Sequence, residues 1–154
     1  MPNITVISGS TLGNAEYVAE HLAEKLTERG HDVQVLHGPD LGELPQLGIW
    51  LVVTSTHGAG ELPDNLQPLF EQIETQQPDL SGIHFGAVGI GSSEYDTFCG
   101  GIAIVDRILI AFGAQRLGEM LKIDIQRCDI PEDLAEEWLI QWEKLIQRVC
   151  FLPT

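Results

Sequence analysis

The fold is decided near the start of the chain, where residues 4–15 read ITVISGSTLGNA. An apolar run of strand length, from Ile4 to Ser8, leads into a turn rich in glycine and hydroxyl residues. Apolar residues then recur at helical spacing from Ala15 to Leu26. A strand that passes through a tight turn into an amphipathic helix is the opening half of a β-α-β unit. This stretch therefore predicts an α/β protein with a parallel sheet.

The same alternation continues to the end of the chain. Further strands are predicted at 33–36, 49–54, 85–90 and, with the alternation typical of a sheet edge, 117–125. Helices are predicted around 66–73, at 102–112 and from Pro131 onward, and 102–112 is so apolar that we expect it to be buried between layers. Five strands in 154 residues predict one domain, over residues 1–154: a doubly wound parallel sheet of order 2-1-3-4-5 with helices on both faces.

Composition narrows the possible functions. The chain has 44% hydrophobic residues, as globular proteins do, and 8 Lys and Arg against 23 Asp and Glu leave a net charge of −15. Such a surface repels nucleic acids and anionic membranes and favours partners with a basic docking face. We expect no signal peptide or membrane-spanning segment, and three scattered cysteines suit a reducing compartment better than disulfides or zinc. We expect a cytoplasmic protein without a metal site.

The turn after the first strand is a candidate anion site. Residues 9–15 (GSTLGNA) run directly into a helix, whose first backbone N–H groups and partial positive charge attract a phosphate. The turn has no lysine of the GxxxxGK[ST] type and does not fit GxGxxG, so neither an ATP-type loop nor a dinucleotide fingerprint is supported. An ordinary strand-to-helix turn, capped by Ser10 or Thr11, remains the alternative.

The turns after the third and fourth strands each carry a planar side chain among glycines and hydroxyls. His57 lies in residues 55–61 (STHGAGE), and Tyr95 lies in residues 89–100 (GIGSSEYDTFCG). Two flat groups on neighbouring loops could enclose a flat ring such as a nucleobase or a flavin. Alternatively, His57 is a solvated surface residue, and Tyr95 and Phe98 pack their loop against the next helix.

Together these three loops resemble those of the flavodoxin family. GSTLGNAE is similar to the family's phosphate loop, STHGAGELPDN to its second flavin loop, and GIGSSEYDTFCG to its third. Their order and spacing agree, and the likeness runs from Ile4 to the last helix, without the insertion of long-chain members. His57, the DTFCG stretch and a late DIPED segment resemble most the MioC type of short flavodoxin.

The resemblance implies that FMN is the cofactor and suggests residues for each part of it. The phosphate would be held by Ser10, Thr11, Leu12, Gly13, Asn14 and Ala15. The inner face and N5 edge of the ring would lie on Thr56, His57, Gly58, Ala59 and Gly60. The outer face and pyrimidine end would be covered by Gly91, Ser92, Ser93, Tyr95, Phe98 and Cys99, with Tyr95 stacked on the ring.

Three positions depart from the family pattern. Leu12 and Ala15 stand where family members usually have hydroxyls, and His57 stands where many have tryptophan. Because a hydrogen bond to a charged group contributes about 1.5–3 kcal/mol, we expect a bound but comparatively labile flavin.

The implied function is electron transfer. We expect a one-electron carrier that a basic-faced, NADPH-linked flavoprotein reductase reduces, since the chain shows no nicotinamide site. The family suggests a radical or iron–sulfur enzyme, such as biotin synthase, as the acceptor. A rim of carboxylates near the flavin edge would guide docking: Glu61, Asp64, Glu94 and Asp96. A carrier must keep this edge free, so we expect a monomer without a catalytic residue.

Other classes of function compete with this interpretation. A response regulator shares the topology, but it needs acidic residues where this chain has Ser8, Gly9 and Thr54. An FMN-dependent quinone or nitro reductase and a cofactor-free protein-binding module remain alternatives, the latter because of Leu12 and Ala15.

The remaining histidines are expected to be structural or solvated, and the tryptophans to lie in the core. They are His21, His31, His37 and His84, none at metal-ligand spacing, and Trp50, Trp138 and Trp142 in apolar patterns.

Overall fold

The computed structural model describes residues 3–9, 14–44, 48–55, 66–91, 100–124 and 131–151. The strands are β1 (Asn3–Gly9), β2 (Asp32–His37), β3 (Gly48–Ser55), β4 (Ile83–Gly91), β5 (Gln115–Arg116) and β6 (Leu121–Asp124). The helices are α1 (Asn14–Glu28), α2 (Gln67–Gln76), α3 (Gly100–Ala111) and α4 (Pro131–Phe151), with a 3-10 turn at Leu41–Glu43. No described helix combines the length and the hydropathy that a membrane-spanning segment requires.

All strand pairs are parallel, in the order β2-β1-β3-β4 with β5 and β6 both beside β4. The predicted 2-1-3-4-5 order is thus confirmed. The single last strand predicted at 117–125 is wrong, because β5 and β6 are separated by residues 117–120. Gly118 there has a left-handed φ of 74°, and its carbonyl accepts a hydrogen bond from Arg116 Nε at 3.1 Å. A strand cannot pass through that conformation. Residue 125 lies outside the described residues.

Each face of the sheet buries its own core. On one face α1 and α4 cover side chains such as Val6, Leu51 and Val88, and on the other α2 and α3 cover side chains such as Ile7 and Val52. In β3, successive residues alternate between the two cores, as the period of two in a strand requires. Burial on both faces is why the strands read as continuous apolar runs in the sequence.

The expectation that residues 102–112 are buried all round is wrong. Val105 and Leu109 have no exposed surface, whereas Ile110 is 49% exposed and Arg107 is also exposed. The helix covers the sheet on one side only, so its outer face meets solvent even where it is apolar.

Histidines and basic residues join α1 to α4. His21 and Lys25 on α1 lie 3.0 Å and 3.4 Å from the carboxylate of Glu136, and the hydrogen bond from His21 is the main reason that the pKa of Glu136 is lowered. Further along, Glu143 is buried between Arg29, at 3.0 Å, and His31, at 2.9 Å. His21 and His31 thus make structural contacts to α4, one of the two roles, structural or solvated, that the sequence left open.

Two tryptophans of α4 pack against β4 at Gly86. Their rings stack with centroids 5.4 Å apart, and Trp138 Nε1 donates a hydrogen bond to the carbonyl of Glu119 at 2.9 Å. Trp142 is buried, as is Trp50, and Trp138 is partly buried. A Cβ at Gly86 would lie 2.6 Å from Trp142 and 2.8 Å from Trp138, so the pair can lie there only because residue 86 has no side chain.

We expect Gly86→Ala to lower the free energy of unfolding by about 1–3 kcal/mol, the usual cost of overpacking a core. Urea unfolding followed by tryptophan fluorescence measures this cost. Gly42→Ala is the matched control, because an added Cβ there meets no atom within 4 Å. Equal stability of the two variants would contradict the close approach at Gly86.

Candidate functional site

The carboxyl ends of the central strands form one straight edge. Gly9 of β1 pairs with Thr54 of β3, Thr54 pairs with Gly89 of β4, and Gly89 pairs with Lys122 of β6. Neighbouring strands are about 4.8 Å apart, so β1, β3 and β4 end side by side. They are followed in the chain by residues 10–13, 56–65 and 92–99, which belong to the three loops singled out in the sequence and lie outside the described residues.

The connections that start at this edge lead to helices on opposite faces of the sheet. The segment after β1 leads to α1 on one face of the sheet, whereas those after β3 and β4 lead to α2 and α3 on the other. The boundary between β1 and β3 is therefore the point where the strand order reverses. In open α/β sheets, ligands bind in the crevice at this point, outside the carboxyl ends of the strands.

Two buried hydroxyls and a glycine occupy the strand ends. Ser8 and Thr54 have no exposed surface, and Gly9, which follows Ser8 on β1, pairs with Thr54 on β3. A Cβ on Gly9 would lie 2.2 Å from Cγ of Leu66, the residue before α2. Glycine at this position lets the side chain of Leu66 pack directly against the end of β1. A response regulator needs acidic residues at these three positions, which here hold Ser8, Gly9 and Thr54.

On the other side of residues 10–13, α1 begins at Asn14 and runs for 15 residues. The first four N–H groups of a helix have no partner within it, and they carry the positive end of the helix dipole. The crevice therefore has a donor-rich side suited to an anion. Among the described residues, no three His, Cys, Asp or Glu side chains cluster in a way that could hold a metal ion.

Comparison with known proteins identifies the family. The flavodoxin family model matches residues 6–138. The chain is 60% identical to protein MioC of Escherichia coli K12 over 96% of its own length and 100% of that protein. It is 38% identical to flavodoxin YqcA of the same organism, over 95% and 99% of the two chains. The solved structure of a cysteine-to-serine mutant of a flavodoxin from Pseudomonas aeruginosa superposes with a TM-score of 0.87 at 39% identity, covering 94% of this chain and 99% of that one.

The chain belongs to the flavodoxin family. As a flavodoxin it is an electron carrier, and FMN is its cofactor. The described residues fit FMN: a helix start lies beside β1 for the phosphate, and the ends of three adjacent strands line up for a flat ring. An electron carrier of this kind has redox partners.

The structure describes only part of the site predicted from the sequence. The backbones of Asn14 and Ala15 open α1, and Gly91 ends β4. The other predicted residues lie outside the described residues: Ser10, Thr11, Leu12, Gly13, Thr56, His57, Gly58, Ala59, Gly60, Ser92, Ser93, Tyr95, Phe98 and Cys99. Their roles at the flavin stay predictions.

Two features of this edge were missed by reasoning from the sequence. One is the packing of Leu66 on Gly9, and the other is a hydrogen-bonded chain from Ser8 through His37 to Glu20. The sequence did carry a signal for the hydrogen-bonded chain. His37 follows the predicted strand 33–36, and neighbouring parallel strands end at the same edge of the sheet, so His37 could have been placed near the end of the first strand.

We expect Gly9→Ala to destabilise the protein, because its Cβ would overlap Leu66, and to weaken FMN binding by disturbing the start of residues 10–13. Leu66→Ala removes the obstructing side chain. A double-mutant cycle in urea unfolding should therefore show that Gly9→Ala costs less in the Leu66→Ala background. Strict additivity of the two substitutions would contradict the contact.

Proposed function

We propose that this flavodoxin is a cytoplasmic, monomeric one-electron carrier, built as a single domain, in which FMN binds across the carboxyl ends of β1, β3 and β4. The observation that carries the proposal is the alignment of Gly9, Thr54 and Gly89 at the point where the strand order reverses. The three loops of the flavodoxin pattern follow these aligned strand ends, which supports a single crevice for FMN.

In this arrangement residues 10–15, where the loop meets the start of α1, would hold the FMN phosphate. Residues 56–60 and 91–99 would enclose the ring, with His57 on the inner face and Tyr95 on the outer. Bound FMN supplies the chemistry, because a flavin accepts and donates electrons one at a time. The protein orients the ring, shields it from water and leaves its edge accessible to partners.

The net charge of the protein and the peptide after Gly58 would set the redox properties of the flavin. The net charge of −15 opposes added negative charge on the flavin. It should therefore make the reduction potential for the second electron strongly negative. Gly58 has no Cβ, so the peptide between Gly58 and Ala59 can rotate and offer its carbonyl to a protonated flavin N5. Such a bond would favour transfer of a single electron.

The partners follow from the same charge. The donor is a flavoprotein reductase with a basic face that draws electrons from NADPH. The acceptor is a radical or iron–sulfur enzyme, for example one of the biotin synthase type. Acidic side chains around the flavin edge would give fast, weak and salt-sensitive docking.

The test is reduction of the FMN-loaded protein, followed by absorption. Stepwise photoreduction should show two separate one-electron steps, and NADPH should reduce the flavin only when a flavoprotein reductase is added. Steady oxidation of NADPH without a reductase would indicate a quinone or nitro reductase instead. Failure to take up FMN would indicate a cofactor-free binding module.

We expect Leu12→Thr and Ala15→Thr to tighten FMN binding, each roughly tenfold, because each adds a hydroxyl that can donate to the phosphate. The measurement is the FMN Kd from quenching of flavin fluorescence. Riboflavin, which lacks the phosphate, serves as the control and should bind with unchanged affinity. Tighter binding of both flavins would contradict a phosphate contact.

We expect Gly58→Val to make the two one-electron steps merge, because a Cβ hinders rotation of the peptide after residue 58. The measurement is the separation of the two steps during photoreduction. An unchanged separation, with FMN still bound, would rule out the peptide rotation.

A further inference from the structure

A hydrogen-bonded histidine lies beside the carboxyl end of β1, the strand that precedes the phosphate loop. Ser8 is the last residue of β1 that pairs with β2, and its partner in register is His37. The fully buried Ser8 hydroxyl hydrogen-bonds to Nδ1 of His37, and the N–H of Gly38 donates to the Ser8 carbonyl at 3.0 Å. Side chain and backbone together therefore hold the end of β1 to the end of β2.

The other ring nitrogen of His37 reaches α1. Nε2 lies 3.2 Å from Oε1 of Glu20, to which its N–H donates. With the proton on Nε2, Nδ1 is the acceptor and the Ser8 hydroxyl is the donor. One imidazole thus bridges the strand that precedes residues 10–13 and the helix that follows them.

The two bonds differ in strength. Glu20 and His37 have side chains that are 64% and 35% exposed, and exposed ion pairs contribute little. The Ser8 hydroxyl is buried, so loss of its acceptor leaves a polar group without compensation, which costs more. The contact with Ser8 should therefore carry most of the effect of His37.

From this geometry we propose that His37 is a positioning residue for the FMN phosphate. Chiefly through Ser8, it holds the end of β1 against β2, so that residues 10–15 start from a defined position and their backbone N–H groups are held ready for the anion. This inference rests on the proposed phosphate site. It assigns no contact between His37 and FMN.

The experiment compares FMN with riboflavin in the whole protein. We expect His37→Leu to weaken FMN binding roughly three- to tenfold, the range for loss of one buried hydrogen bond, and to change riboflavin binding less than about twofold. His37→Asn places an amide near the former Nδ1 and should restore most of the FMN affinity. His84→Leu is the matched control, because His84 lies at the opposite end of β4, where it pairs with Gln115.

The possible outcomes separate this inference from the proposed function. Equal weakening of both flavins by His37→Leu would mean a merely structural role and would overturn the inference. If the wild-type protein prefers FMN to riboflavin and His37→Leu leaves that preference unchanged, the inference about His37 is also overturned, whereas the proposed phosphate site still stands. If the wild-type protein binds both flavins equally, the phosphate site itself is absent, and the inference fails with it.

Discussion

The register between β1, β3 and β4 is the constraint on which the account of this protein depends. Hydrogen bonds between parallel strands place Gly9, Thr54 and Gly89 in one row, and a shift of one residue in any strand would move its loop and turn its side chains to the other face. Register is strongly specified here because both faces of the sheet are buried. The same hydrophobic pattern that stabilises the fold therefore also aligns the three loops.

Small residues at the sheet make the alignment compatible with close packing. Gly86 allows the tryptophan pair of α4 to lie on β4, and Gly9 allows Leu66 to lie on the end of β1. On the other side of Gly9, Ser8 is held by His37, which in turn bonds to Glu20 of α1. The end of β1, which precedes the phosphate loop, is thus held from α1, β2, β3 and Leu66. Such support lets a site built from loops keep a defined geometry.

The sequence predicted the order of strands and helices because buried parallel strands read as apolar runs, and amphipathic helices show their period. It predicted one last strand where there are two, since a left-handed Gly118 leaves no mark on an alternating pattern. The apolar outer face of α3 was equally ambiguous, because periodicity does not reveal which side is covered. For the site, loop motifs indicated FMN, but the link between Ser8 and His37 joins residues 29 positions apart and depends on register.

The central claim is that FMN binds at the carboxyl edge, between the loops after β1, β3 and β4. The most direct test is titration of the isotopically labelled protein with FMN, with backbone amide shifts followed by NMR. The account predicts saturable shifts concentrated around Gly9, Ser55, Gly91 and the start of α1, and little change at His31 on the opposite edge. Shifts that cluster away from this edge, or none at saturating FMN, would contradict it.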